Sequence, residues 1–280
     1  MRHSPVIPTR GPVPLAGGTA PGRVPLVAVA HGSRDPRAAA TVAALLDRVP
    51  LDVRVAYLDH CAPTLPQALG GLREAVVLPL LLTEAYHSRV DLPSVLNEVR
   101  AREPGLRVRY GATLGPHPLL LAALERRLAE AGVRAGDPDT AVVLVSAGSS
   151  DARANAVIAE QARAWRRSGW WAVTAAYASA AGPSPAEAVA ALLRAGAPRV
   201  AVAPYLLAPG YFADKVRRGA LEAGASVVSD VLGPAPELVE VLVERYETAV
   251  GGLLGASLVQ EAPSMAPSAG SPVGRQPVVQ

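Results

Sequence analysis

His31, Asp59 and His87 stand at equal intervals of 28 residues, each just beyond a short apolar run. The run VPLVAVA ends on His31 and turns through Gly32, Ser33, Arg34, Asp35 and Pro36. VRVAY leads to Leu58, Asp59 and His60, and AVVLPLLL leads to Thr83, Glu84, Ala85, Tyr86 and His87. Two neutral imidazoles and a carboxylate suit a divalent first-row metal with coordination positions left open, and the same groups can accept protons near neutral pH. Open positions imply exchange or catalysis, because structural zinc sites are usually closed by four ligands and often rich in cysteine. Cys61 is the only cysteine, which excludes an internal disulfide and suits a reducing cytoplasm. One histidine after a strand reads as a hydrogen-bonded structural residue; it is the recurrence that points to chemistry.

Positioning such a set requires parallel strands that end on one edge. Runs of β-branched and aliphatic residues closed by Gly and Pro predict buried strands, each feeding a helix. The expected order is a strand over 24–30, a helix over 36–49, a strand over 53–57, a helix over 64–73, a strand over 75–82, a helix over 91–102, a strand over 106–110 and a helix ending near Gly132. Four βα units in this length make a doubly wound, flavodoxin-like layer structure, whose ligands bind at the carboxyl ends of the strands.

Beyond a polar hinge at Gly136, Asp137, Pro138 and Asp139 the pattern restarts. AVVLVSAGSSDARA matches LVAVAHGSRDPRA, AAYASAAGPSPAEAV matches VAYLDHCAPTLPQAL, VAPYLLAPGYFADKV matches VLPLLLTEAYHSRVD, and VLGPAPELVEVL matches TLGPHPLLLAAL. The fold class is therefore α/β, with two tandem doubly wound parallel-sheet domains: 24–134 carrying the site and 135–255 a degenerate repeat, flanked by tails over 1–23 and 256–280 expected to be flexible. In the second copy His31 becomes Ala147, Asp59 becomes Ser179, His87 becomes Phe212 and His117 becomes Ala235, while Gly32, Ser33, Pro63, Pro79 and Tyr86 persist as Gly148, Ser149, Pro183, Pro204 and Tyr211. A fold that needed the histidines would need them twice, so their selective loss places chemistry in the first copy and scaffolding in the second. By the same comparison Tyr86 and Tyr211 read as packing residues. His60 is expected to point away from Asp59, Cys61 to be a small buried filler, and His117 to cap or support the cleft.

Composition sets the outer bounds. Half of the 280 residues are hydrophobic but only 4% are aromatic, so the cores must be built from Val, Leu and Ala. No long apolar run lacks a charge or a breaker, and residues 1–23 lack the apolar core of a signal peptide, so neither a membrane partner nor export is expected. Of 27 basic residues only Lys215 is a lysine. Arginine forks suit carboxylates and phosphates, although a high-GC coding bias gives the same usage. The net charge of +3 is spread along the chain, which disfavours nucleic acid.

AHGSRDP, the acid in VAYLDHCAPTLPQAL, the loop PLLLTEAYHSRVDLP and the late LGPHP resemble the CbiX/SirB class of sirohydrochlorin chelatases, and the tandem arrangement resembles the long form of that family. The resemblance implies two flavodoxin-like, chelatase-like lobes with a cleft between them. It also implies ATP-independent insertion of Co²⁺ or Fe²⁺ into sirohydrochlorin, in sirohaem or cobalamin biosynthesis. The metal is then a substrate, no organic cofactor is expected, and the partner is an anionic tetrapyrrole bound by a monomer or weak homodimer. By resemblance His31 is the proton acceptor and a metal contact, His87 the second metal contact, and Asp59 stands where the family often has glutamate. Leu82, Thr83, Glu84, Ala85 and Tyr86 would line the macrocycle, and Ser33, Arg34 and Arg89 would meet its carboxylates.

Three other readings compete. A histidine phosphatase needs an arginine beside its nucleophilic histidine, where this chain has Ala30. A metal or tetrapyrrole carrier could use the same ligands without turnover. An inactive relative is opposed by the intact His31 and His87.

Overall fold

The computed structural model describes residues 23–83 and 92–251. Two four-stranded parallel sheets are present, ordered β2-β1-β3-β4 and β6-β5-β7-β8. The first contains β1 (Leu26–Ala30), β2 (Val53–Tyr57), β3 (Glu74–Pro79) and β4 (Arg107–Tyr110); the second contains β5 (Thr140–Ser146), β6 (Ala172–Tyr177), β7 (Arg199–Pro204) and β8 (Val227–Val228). β1 lies between β2 and β3, with Ala30 opposite Tyr57 and Val29 opposite Pro79. The three strands that precede His31, Asp59 and the segment containing His87 in sequence are thus neighbours, as the sequence pattern requires. β5 occupies the same central place in the second sheet.

Strand residues alternate between two cores, as a pleated strand with both faces covered must. Val27 and Val29 face an outer core formed with α2 (Leu65–Leu69) and α3 (Leu92–Arg102), through Leu65, Leu69, Leu92 and Leu96. Leu26, Ala28 and Ala30 face a larger core that also takes in Val142 and Leu144 of the second sheet. Between the sheets lie α1 (Pro36–Leu46), α4 (Pro118–Glu130), α5 (Ala152–Trp165) and α8 (Pro236–Gly251). The second outer core joins Val143 and Val145 to α6 (Pro185–Arg194) and α7 (Tyr211–Glu222).

The last helix of each repeat crosses to the other sheet: α4 packs on β7 and α8 on β3. On α8, Arg245 Nε donates to the Thr113 carbonyl at 3.0 Å and the Tyr246 hydroxyl to the Val24 carbonyl at 2.7 Å. On α4, Arg127 Nε and Nη2 both donate to the Leu232 carbonyl. One shared core, together with these hydrogen bonds, fixes the two sheets together. Truncating a fully buried member such as Leu124 or Leu242 to Ala would cost about 2–5 kcal/mol.

Several elements are shorter than the sequence suggests: β1 starts at Leu26 instead of residue 24, and α1 ends at Leu46 instead of residue 49. α2 ends at Leu69 instead of continuing to residue 73, because Gly70 and Gly71 follow and Gly71 has φ +75°. β3 ends at Pro79, although the Leu80 N–H still donates to the Val29 carbonyl at 2.7 Å. Among the described residues no helix is long and apolar enough to cross a membrane.

Candidate functional site

His31 leaves β1 at the carboxyl edge and is exposed. Its carbonyl accepts the Asp59 N–H at 2.9 Å, and the Ala30 carbonyl accepts the Leu58 N–H at 3.0 Å, so pairing continues past both strands into the site. Gly32 makes that approach possible. Its φ is +92°, and a Cβ there would stand 1.8 Å from the Asp59 carbonyl oxygen. The turn is then pinned by its own side chains: Ser33 Oγ accepts the Asp35 N–H at 3.1 Å, and Asp35 Oδ1 caps α1 by accepting the Arg37 N–H at 2.9 Å.

Asp59 does not stand alone. Its Oδ1 accepts the His60 N–H at 2.7 Å, and its Oδ2 lies 3.2 Å from His60 Nε2. This corrects the expectation for His60. Strand alternation would turn it away, but its φ of +60° breaks the alternation and folds the imidazole back onto the carboxylate. Ala180 has the same conformation, φ +58°, in the second repeat, so the imidazole is not what the backbone turn requires. Cys61 also differs from expectation: it is half-buried, and its Sγ donates to the Ser33 carbonyl at 3.1 Å, clamping the two loops together.

The remaining predicted residues divide into two groups. Arg34 is exposed beside the His31 turn, and Leu82 and Thr83 are half-buried past the end of β3. Glu84, Ala85, Tyr86, His87 and Arg89 lie outside the described residues. The structure thus brings His31 and Asp59 together from adjacent strands. Among the described residues no cluster of three or more His, Cys, Asp or Glu side chains could hold a metal ion.

His117 has a structural task. Its Nδ1 accepts the Leu119 N–H at 3.2 Å, capping α4, and its Nε2 lies 3.1 Å from Glu244 of α8. With Nδ1 accepting, the ring proton sits on Nε2 and is donated to Glu244.

Two contacts from the second repeat reach this edge, and neither was visible in sequence because the partners lie more than a hundred residues apart. The Tyr205 hydroxyl donates to the Leu82 carbonyl at 3.2 Å, just past the end of β3. Burial pushes the Tyr205 phenol up from its ordinary pKa, so it remains a neutral donor. Arg37 forks between Asp35 and Asp214, its Nη2 lying 2.6 Å from an oxygen of each. Those hydrogen bonds raise the guanidinium pKa, and the Arg37 side chain holds the Asp35 carboxyl below its usual range.

The CbiX family model matches residues 25–131 and again 141–249, which spans most of the chain and both repeats. The chain belongs to the CbiX family. A sirohydrochlorin cobaltochelatase from Priestia megaterium is 28% identical over 243 residues, covering 80% of this chain and 79% of the relative. A sirohydrochlorin ferrochelatase from the same organism is 30% identical over 236 residues, covering 79% and 88%. SirB from Bacillus subtilis, solved with Fe³⁺, has the same fold, with a TM-score of 0.70 at 24% identity over 84% of this chain and 98% of that one. Membership in the family accounts for the tandem sheets.

Proposed function

We propose that the chain is a sirohydrochlorin chelatase, inserting Fe²⁺ or Co²⁺ into the tetrapyrrole without ATP or an organic cofactor. The observation that carries this reading is the placement of His31 and Asp59 on adjacent strand ends, joined by a backbone hydrogen bond of 2.9 Å, in a chain whose two repeats both match the CbiX family. His31, Asp59 and His87 form the metal and base set, and the repeat over 135–255 serves as scaffold. Metals go in as dications and two pyrrole protons come out, so charge balances with the base set passing both protons to solvent. A neutral His31 imidazole can take a proton from a pyrrole N–H while Asp59 holds the incoming cation or takes the second proton. The His60 bonds fix the direction of the Asp59 carboxylate. The macrocycle must bend to admit the metal, and holding it bent takes roughly 1–5 kcal/mol of binding energy. Ser33, Arg34 and Arg89 supply donors for its carboxylates.

The test is multiple turnover. With sirohydrochlorin in excess under anaerobic conditions, adding Fe²⁺ or Co²⁺ should convert many equivalents per chain, and the faster metal identifies the preferred substrate. Conversion or binding that halts at one equivalent would instead make the protein a carrier.

A further inference from the structure

Phe212 is the only phenylalanine in the chain, and it sits on the surface beside an even more exposed tyrosine. Tyr211 is 72% and Phe212 40% exposed, which corrects the reading of Tyr211 as a packing residue; Tyr110 is also exposed, whereas Trp165, Trp170, Tyr177, Tyr205 and Tyr246 are all buried. The two rings meet edge to face, with centroids 5.7 Å apart. In a chain with so few aromatic residues, an adjacent exposed pair contributes little to folding and keeps its hydrophobic area for something else.

Position narrows what that is. Tyr211 and Phe212 open α7, and the residues on either side of them are held against the His31 turn of the first repeat. Just before them, a Cβ on Gly210 would stand 3.9 Å from the Asp35 Cβ; just after them, Asp214 Oδ2 is 2.6 Å from Arg37 Nη2. Asp35 and Arg37 begin α1, four and six residues beyond His31. In the repeat, Tyr211 and Phe212 fall where the first copy has Tyr86 and His87. Arg34, beside the His31 turn, and Lys215 are exposed and add positive charge, the Lys215 Nζ donating to the Ala178 carbonyl at 3.3 Å.

We infer that Tyr211 and Phe212 form a ring platform by which the second lobe binds one face of the flat, conjugated, polyanionic macrocycle, with Arg37 locking that platform beside His31. The inference rests on the chelatase reading. Ring faces and edges bind a planar π-system, while the flanking cations suit its carboxylates. The platform acts on macrocycle affinity and not on the proton-transfer step, which the proposed function gives to His31 and Asp59.

The test titrates metal-free, full-length protein with sirohydrochlorin anaerobically, comparing the parent with Tyr211→Leu/Phe212→Leu and with the ring-keeping swap Tyr211→Phe/Phe212→Tyr. The leucine pair should raise the macrocycle Kd and KM roughly tenfold, with kcat at saturation and Co²⁺ affinity within about twofold of the parent, and the swap should restore binding. Thermal melts check folding, and the single variant Tyr211→Leu, at the more exposed position, replaces the pair if it fails to fold. A leucine pair that binds sirohydrochlorin as the parent does overturns the platform while leaving the chelatase reading intact. So does a parent dimer that dissociates in the leucine pair with macrocycle affinity unchanged, since the rings then serve contact between copies. A parent that neither binds nor converts sirohydrochlorin overturns the chelatase reading and the platform together.

Discussion

The carboxyl edges of β1 and β5 have nearly the same backbone. The Asp59 N–H meets the His31 carbonyl at 2.9 Å, and the Ser179 N–H meets the Ala147 carbonyl at 2.9 Å. Gly32 and Gly148 take φ of +92° and +85°, with the hypothetical Cβ 1.8 Å and 1.9 Å from the facing carbonyl oxygen. Ser33 and Ser149 both accept the N–H of the aspartate that caps the next helix, each at 3.1 Å. Even the left-handed residue recurs, as His60 and Ala180. What differs is the side chains: imidazole, carboxylate and imidazole at His31, Asp59 and His60 face methyl, hydroxyl and methyl at Ala147, Ser179 and Ala180. The turn is a property of the fold, and these ionisable side chains stand on one copy of it.

The largest expected effect is on the reacting side chain. His31→Ala should lower the insertion rate by roughly 10²–10⁴ with an unchanged melting temperature, as for loss of a general base. Gly32→Ala and Gly148→Ala sharpen the comparison next. Each forces a Cβ into a carbonyl oxygen at positive φ, so both should destabilise by more than about 1 kcal/mol in urea unfolding. Only the first should also cost activity per folded molecule, and equal losses of specific activity would break the asymmetry.

Smaller effects test the structural side. His117→Ala should cost about 0.5–2 kcal/mol of stability through the lost helix cap and leave kcat unchanged. Asp137 offers a control in the linker between the repeats. The Thr140 hydroxyl first, then Arg199, hold its carboxyl at a pKa of about 2. Stability from this group is present above the unfolded carboxylate pKa and is lost as pH falls toward 2. Asp137→Asn should therefore lower the melting temperature at pH 7, and the gap from the parent should close by pH 2.

How much of this could be read from sequence depends on the range of the interaction. β2 was legible to the residue, at Val53–Tyr57, because a β-branched run bounded by turn formers is a local signal. The pairing of His31 with Asp59 followed from strand order, through the equal spacing of the βα units. His60 was misread because period-two alternation fails once a residue adopts positive φ, and no local signal marked that turn. His117 shows the limit of repeat logic: its ring caps α4 at the Leu119 N–H, a structural contact that Ala235 cannot make at the start of α8. The exchange of α4 and α8, the Tyr205 bond and the Arg37 fork join residues far apart in the chain, and no periodicity encodes them.

The most direct measurement of the central claim is an anaerobic turnover assay, with Co²⁺ and excess sirohydrochlorin, on the matched pair Asp59→Ala and Ser179→Ala. The account predicts that Asp59→Ala loses conversion by an order of magnitude or more while Ser179→Ala turns over within about twofold of the parent. Equal losses from the two variants, or a loss confined to Ser179→Ala, would contradict a single reacting lobe.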